Sequence, residues 1–161
     1  MKTIESASLS HPFLAGMDEE DLREIAPLAT AIHFPANYVI FHEGDPADAF
    51  FLIVDGKVAV ESHARARGTI VVQTVESGGA LGWSWLFEPF TWHFDARTVR
   101  PTDAIMLEAK DLRALCDHNS HLGCALTRRV AHLVIQRLHE TQLRLCDTFD
   151  ARSLETWEIK N

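Results

Sequence analysis

The sequence predicts an α+β domain in which helices flank an antiparallel β barrel or sandwich. Between about Thr30 and Ala109 the apolar residues follow a period of two, and Gly, Pro and Asp interrupt them, as is typical of short antiparallel strands. On both sides of this block the apolar residues recur at helical spacing. Nothing in the pattern indicates βαβ units, and 161 residues suit one compact domain.

The first predicted element is a short helix that begins after Asp18 and ends near Ala29. Asp18 is a common N-cap residue, and three carboxylates follow it in the first turn, where the helix dipole favours negative charge. Apolar residues line one side of this segment at helical spacing: Leu22, Ile25, Ala26 and Leu28.

Seven short strands are predicted next, and turn residues separate most of them. The Asp55-Gly56 pair is a strong signal for a tight hairpin. Strands at this spacing indicate an antiparallel barrel or sandwich. The predicted strands are Ala31–Phe34, Tyr38–His42, Ala49–Val54, Lys57–His63, Thr69–Val75, His93–Val99 and Ala104–Glu108.

Two helices are predicted at the end of the chain, over Asp111–Asp117 and about Ser120–Phe149. About 30 helical residues reach about 45 Å, which is longer than a barrel of this size can cover. Part of the apolar stripe of the second helix therefore requires another partner, and we expect a two-fold homodimer. The residues expected in the dimer interface are Leu126, Val130, Leu133 and Leu138.

The segment Phe41–Val60 combines two turn glycines, Gly44 and Gly56, with alternating apolar residues between them. It resembles the β-roll signature of cyclic nucleotide-binding domains of the catabolite activator and FNR type. The resemblance extends over roughly residues 11–149. It implies a double-stranded β-helix or β-roll, similar to a jelly roll, with an N-terminal helix and a long C-terminal dimerisation helix. Residues 1–10 are then expected to be a flexible N-terminus and residues 150–161 a polar tail.

The same resemblance implies a phosphate-binding cassette at Gly78–Leu86, closed by the strand Asp95–Val99. Physically, a glycine turn lets backbone approach a phosphate, and the N–H groups of the short helix after it point at the anion. The family pattern has a glutamate directly after the glycine for the ribose hydroxyl, and an arginine four residues before the valine for the cyclic phosphate. This chain has Trp83 and Asp95 at those two places. Because a carboxylate repels phosphate, we do not expect ordinary cyclic AMP binding.

Two interpretations of the pocket remain open from the sequence. Arg97 lies two residues after Asp95 on the same side of a strand, so it either pairs with Asp95 or supplies a relocated contact for an anion. The nearby tryptophans suit stacking on a flat ligand, or a pocket filled by its own side chains. The residues expected to form the ligand site are Leu81, Gly82, Trp83, Ser84, Trp85, Asp95, Arg97 and Thr98, with Thr127 and Arg128 facing in from the long helix.

The favoured function is a regulatory or sensor domain for a small ligand other than cyclic AMP. The alternative is a ligand-free dimeric scaffold or a partner subunit in a complex. No cofactor is expected beyond a cyclic nucleotide or another small acidic ligand. The chain contains no G-x-S-x-G elbow and no P-loop, so it is not expected to be an enzyme.

A possible zinc cluster has the spacing C-x-H-x₂-H-x₂-C, formed by Cys116, His118, His121 and Cys124. Structural zinc sites usually pair ligands from two separated knuckles, so two buried cysteines and two solvent-facing histidines are the favoured interpretation. No metal site is predicted. The single histidines His42, His63 and His93 are interpreted as surface or core residues rather than haem ligands.

The net charge of −8, without a basic cluster, argues against general binding to nucleic acid or anionic membranes. Only twelve residues follow Phe149, too few for a helix-turn-helix, so direct DNA binding is not expected. No apolar stretch approaches the roughly 20 residues of a transmembrane helix. The N-terminus has no apolar core of a signal peptide, and the three cysteines are odd in number, so a cytoplasmic location is expected.

Overall fold

The computed structural model describes residues 10–64 and 68–158, with side chains described as far as residue 147, except that of Ala64. The chain divides into two compact units, Met1–Arg129 and Val130–Asn161. The predicted flexible N-terminus lies outside the described residues except for Ser10. Within the described part of the chain, no helix is both long enough and apolar enough to cross a membrane.

Short helices precede the sheet. A 3₁₀ helix, Pro12–Leu14, comes first, then α1, Glu19–Ile25, and a second 3₁₀ helix, Ala26–Leu28. The predicted helix to Ala29 is therefore split. Pro27 explains the split, because a proline has no N–H with which to continue the α-helical hydrogen bonds.

One antiparallel sheet of six strands forms the body of the first unit, and it confirms the predicted jelly-roll-like fold. The strand order is β1-β6-β3-β4, while β2 pairs with β6 and β5 pairs with β3. The strands are β1 Ala29–Phe34, β2 Val39–Phe41, β3 Ala49–Ala64, β4 Gly68–Glu76, β5 Ala80–Leu81 and β6 Asp95–Glu108.

The hairpin predicted at Asp55-Gly56 is wrong, because both residues lie inside the single 16-residue strand β3. Gly56 has a φ of +132°, and the pairing of β3 with β6 shifts register on both sides of it. Asp55 keeps a negative φ, unlike the first central residue of a type I′ turn. The glycine therefore bends a long strand at a bulge instead of reversing the chain. In the same way, the two last predicted strands are one strand, β6.

The core contains one cluster of buried apolar side chains contributed by five of the strands, β1, β3, β4, β5 and β6. A second layer lies on the other face of β3, where Phe50 makes ring contacts with Phe13 at 5.0 Å and Trp85 at 5.9 Å between centroids. The sheet cluster consists of Phe34, Ala49, Phe51, Ile53, Val58, Val60, Val75, Leu81, Ala96 and Ala104.

Two helices follow the sheet, as predicted: α2, Ala109–His118, and α3, Ser120–Glu158. Helix α3 continues nine residues beyond Phe149, through most of the predicted polar tail. The sequence after Gly123 contains no glycine or proline, so nothing in it ends the helix at Phe149.

Candidate functional site

The predicted cassette contains a glycine, Gly82, that the geometry requires. Gly82 has a φ of +92° and precedes a 3₁₀ helix, Trp83–Leu86. A Cβ atom at Gly82 would lie 3.0 Å from ring carbons of Trp92 and 3.2 Å from the carbonyl oxygen of Ala49. Both the left-handed backbone and this close packing exclude larger residues.

Trp83 and Ser84 both contact His93. The rings of Trp83 and His93 stack with centroids 5.4 Å apart, and Ser84 Oγ lies 2.9 Å from His93 Nδ1. The position directly after the cassette glycine is therefore occupied by a half-buried indole held against an imidazole. Sequence reasoning identified Trp83 and Ser84 but not their contact with His93.

Leu81 and Trp85 belong to the core rather than to an open pocket wall. Both are almost completely buried, and the carbonyl oxygen of Trp85 accepts a hydrogen bond of 2.8 Å from Arg113. Among the described side chains, Trp85 Nε1 is buried without a hydrogen-bond partner. A buried N–H without a partner costs about 1–3 kcal/mol, so this donor is an unsatisfied feature of the cassette helix.

Asp95 is 9% exposed and is held by groups that precede it in the chain. Its Oδ1 accepts a hydrogen bond of 2.6 Å from the backbone N–H of Glu43 and lies 3.6 Å from His42 Nδ1. Its Oδ2 lies 3.3 Å from His63 Nδ1. His42 and His63, which the sequence analysis treats as separate single histidines, therefore lie on either side of one carboxylate. They meet there because β2 and β3 both reach the start of β6.

Arg97 does not form the pair with Asp95 that is one of the two roles expected for it. Its guanidinium forms a two-point ion pair with Glu61, with Nε 3.2 Å from Oε2 and Nη2 bonded to Oε1. The Glu61 side chain is 9% exposed and that of Arg97 is 41% exposed. The hydrogen bond to Glu61 is the main cause of a raised pKa at Arg97. The guanidinium is thus bound to β3 and is not paired with Asp95.

Thr98 is buried and uses its hydroxyl for structure. The Oγ1 atom donates to the carbonyl oxygen of Pro35 at 2.6 Å and accepts from the N–H of Tyr38 at 2.8 Å. These two bonds tie the β1–β2 connection to β6. The Thr98 hydroxyl therefore holds this connection, and its predicted place in the ligand site stays a prediction.

Thr127 and Arg128 do not face into the first unit as predicted, because both side chains are exposed. Thr127 Oγ1 donates to the carbonyl oxygen of Gly123 in its own helix at 2.8 Å. The buried face of this part of α3 is formed by Leu122 and Leu126. Residues one and two positions after Leu126 lie about 100° and 200° around the helix from it.

The residues predicted for a dimer interface fall into two groups. Leu126 and Val130 are buried within the single chain, and Leu133 is half-buried. Leu138 is 56% exposed, and it lies five residues beyond Leu133, about 140° around the helix. The predicted stripe therefore combines a buried face with an exposed one.

The cysteine and histidine cluster does not converge on a metal position. Cys116 is half-buried, and burial raises the pKa of its thiol, while Cys124 is exposed instead of buried as predicted. His121 instead approaches two aspartates of the α1 region, with Nδ1 3.3 Å from Asp21 and Nε2 3.8 Å from Asp18. These three side chains offer ligand atoms within 4.8 Å of one another.

Comparison with known proteins shows which protein family this chain matches. Residues 31–119 match the family model of the cyclic nucleotide-binding domain. A CRP-like cAMP-activated global transcriptional regulator of Mycobacterium tuberculosis is 22% identical over 132 residues, which cover 82% of this chain and 57% of that protein. An uncharacterized NTE family protein of the same organism is 27% identical over 128 residues, and the chain spans only 21% of its length.

A solved structure agrees with this match. The cyclic nucleotide-binding domain from Methylobacillus flagellatus superimposes with a TM-score of 0.75, at 23% identity, over 82% of this chain and 74% of that one. At this identity the likeness shows the fold. It places the sheet and the helices described above in one known architecture.

Proposed function

Since the chain belongs to the cyclic nucleotide-binding domain family, we propose that it is a regulatory domain of the cytoplasm whose cassette binds a small ligand other than cyclic AMP. The proposal includes no catalytic step and no direct contact with DNA. One observation carries it: Asp95 stands where the family resemblance implies the phosphate-binding arginine, and the surrounding backbone and histidines hold it in place.

The size of the electrostatic effect supports the proposal. Two unit charges 4 Å apart interact by about 1 kcal/mol in bulk water and by about 4 kcal/mol at the effective dielectric of a protein surface. Asp95 is 9% exposed, so the larger value is the relevant one. Exchanging an arginine for an aspartate turns an attraction of that size for a phosphate into a repulsion.

The remaining cassette groups support the same conclusion. Trp83 has no carboxylate for a ribose hydroxyl, and Arg97 is bonded to Glu61 and is not free for an anion.

Calorimetry with cyclic AMP and cyclic GMP tests the proposal. We expect no saturable binding with a dissociation constant below about 1 mM, which corresponds to about −4 kcal/mol. The double variant Trp83→Glu/Asp95→Arg should bind cyclic AMP at least about tenfold more tightly than the wild type. The control is Asp103→Arg, which makes the same exchange as Asp95→Arg on the same strand at an exposed site. A low-micromolar constant for the wild-type chain contradicts the proposal.

A ligand-free scaffold is the second candidate, and one observation favours it. Both charged side chains of the cassette strand are satisfied internally, Arg97 by Glu61 and Asp95 by a backbone N–H with two histidines nearby. Native mass spectrometry of the freshly purified protein separates the candidates. A co-purified small molecule supports the sensor, whereas a bare chain that no small acid stabilises in thermal-shift assays supports the scaffold.

Homodimerisation through α3 is part of the proposal for both candidates. Ile135, Leu138 and Leu145 are 63%, 56% and 56% exposed, and their spacing of three and seven residues places them on one face. A second copy of the same helix would bury this face by two-fold symmetry.

We expect a dimer at tens of micromolar in sedimentation equilibrium, and a monomer for Leu138→Glu. Gln136→Glu adds the same charge on the other side of the helix and should leave the dimer intact. A monomeric wild type contradicts dimerisation.

A further inference from the structure

A cavity of about 440 Å³ opens in the first unit, beside the cassette. Its volume falls within the usual range for small-molecule sites. It is lined by β1, the β1–β2 connection, β2, the beginning of β3 with the residue before it, the end of β6 and the first two turns of α2. The lining residues are Ile32, Phe34, Tyr38, Ile40, Asp48, Ala49, Phe51, Met106, Glu108, Lys110 and Arg113, and none of them belongs to the predicted ligand site.

The apolar wall of this cavity contains three aromatic rings, of which Phe34 contacts the other two. Phe34 stacks on Tyr38 with centroids 5.4 Å apart and meets Phe51 edge-on at 6.0 Å. Phe34 and Phe51 are buried, so their positions are fixed by the core, while Tyr38 is 47% exposed at the opening. Such a wall suits a flat or branched apolar group of a ligand.

The charged residues of the cavity comprise two carboxylates and two cations. Arg113 is held in place, because it donates to the carbonyl oxygen of Trp85 and its guanidinium lies 4.5 Å from the centre of the Phe90 ring. In the part of the chain that the structure describes, the side chains of Asp48, Glu108 and Lys110 form no hydrogen bond or ion pair. Three charged groups that line one apolar cavity are thus free for a ligand.

From this arrangement we propose that the cavity binds a zwitterionic small molecule with an apolar side group, the chemistry of an aromatic α-amino acid. The apolar group packs against Phe34 and Tyr38. The carboxylate of the ligand is attracted to the Lys110 end of the cavity, and its ammonium group to the carboxylate of Glu108 or Asp48.

The signs of the lining charges favour a zwitterion over a ligand that carries a single charge. A ligand with a single charge is attracted by the two lining groups of opposite sign and repelled by the two of the same sign, which are Asp48 and Glu108 for an anion and Lys110 and Arg113 for a cation. A zwitterion satisfies both signs at once, and charge-assisted hydrogen bonds to its two ends are stronger than bonds between neutral groups. The cavity shares no lining residue with the predicted ligand site, so this proposal stands or falls separately from the proposed function.

Calorimetry on the full chain with three matched probes tests the ligand class. L-Phenylalanine carries both charges, 3-phenylpropanoate lacks the ammonium group and 2-phenylethylammonium lacks the carboxylate. We expect saturable binding of L-phenylalanine, at least about tenfold tighter than that of either analogue. Equal binding of the three probes, or no saturable binding of L-phenylalanine up to 10 mM, a limit of about −3 kcal/mol, overturns the proposal.

Variants test the location. Lys110→Gln and Glu108→Gln change exposed side chains, so the fold is expected to persist, and each should weaken L-phenylalanine binding about tenfold. Lys57→Gln is the control, since it removes a lysine that pairs with Glu76 outside the cavity. Binding that is unchanged in both cavity variants places the ligand elsewhere and refutes the assignment. Binding that is also unchanged in the Trp83→Glu/Asp95→Arg variant confirms that the cassette is not the site.

Discussion

The substitution Gly56→Ala should destabilise the protein more than a glycine-to-alanine substitution at any other glycine of the sheet region. A Cβ atom at Gly56 would lie 2.3 Å from Thr102 Oγ1, 2.6 Å from its Cβ and 2.7 Å from its Cα. The nearest backbone atom is part of β6, so a side-chain rotation cannot relieve the overlap. The strands β3 and β6 would have to separate where they pair.

Two costs add at this position. An L residue with a φ of +132° carries conformational strain of about 1–3 kcal/mol. Forcing a methyl group into closely packed structure costs about 1–3 kcal/mol more. The sum, about 2–6 kcal/mol, is a large part of the about 5–15 kcal/mol by which most domains are stable.

Urea denaturation, followed by tryptophan fluorescence, measures this loss. Gly44→Ala is the matched control, because Gly44 has a φ of +87° but a Cβ there would have no neighbour within 4 Å. The control should therefore lose only about 1–2 kcal/mol, from backbone strain. Equal losses in the two variants would refute the argument that Gly56 is needed for the close approach of Thr102.

Two further predictions concern buried polar groups. Thr98→Val keeps the side-chain shape but leaves the Pro35 carbonyl and the Tyr38 N–H without their partner, so the free energy of unfolding should fall by about 1–3 kcal/mol. Thr98→Ser, which retains the hydroxyl, should lose less in the same urea titration. Burial lowers the pKa of His11 below its usual 6.5, while its Nε2 lies 3.1 Å from the Ile53 carbonyl and its Nδ1 accepts from the Phe13 N–H. Because the unfolded chain then binds more protons below pH 6.5, the free energy of unfolding should fall from pH 7.5 to pH 5.5. The fall should be smaller in His11→Gln, which lacks the imidazole. A difference in stability between the two proteins that does not change with pH would contradict this prediction.

The sequence predicts which segments form helices and strands better than it predicts where each helix or strand ends. Period-two and helical spacing are local properties, so the order of helix, sheet and helices follows from them. Asp55-Gly56 shows the limit. A glycine with positive φ is equally compatible with a hairpin and with a bulge in a long strand, and the choice depends on the approach of Thr102, which lies 46 residues away.

The site shows the same limit in its charges. The positions of Trp83 and Asp95 could be identified from the spacing of the cassette, because that spacing is local. The partner of Arg97 could not, because Glu61 belongs to β3 and reaches Arg97 only through the register that pairs Glu61 with Asp95. The expected Arg97–Asp95 pair was inferred from two residues of the same strand. In the structure, the neighbouring strand places the nearly buried carboxylate of Glu61 closer to Arg97.

The distribution of satisfied and free charges separates the two regions of the first unit. At the cassette, Glu61 neutralises Arg97 and a backbone N–H holds Asp95, so any anionic ligand must displace an existing bond or meet a carboxylate. At the cavity lined by Lys110 and Glu108, no internal bond among the described residues has to be broken before a ligand binds. A free charge contributes its interaction with a ligand, weakened by solvent at these exposed side chains, whereas a charge that is already paired contributes only the difference between two partners. For a ligand that carries both charges, the cavity therefore requires less reorganisation than the cassette does.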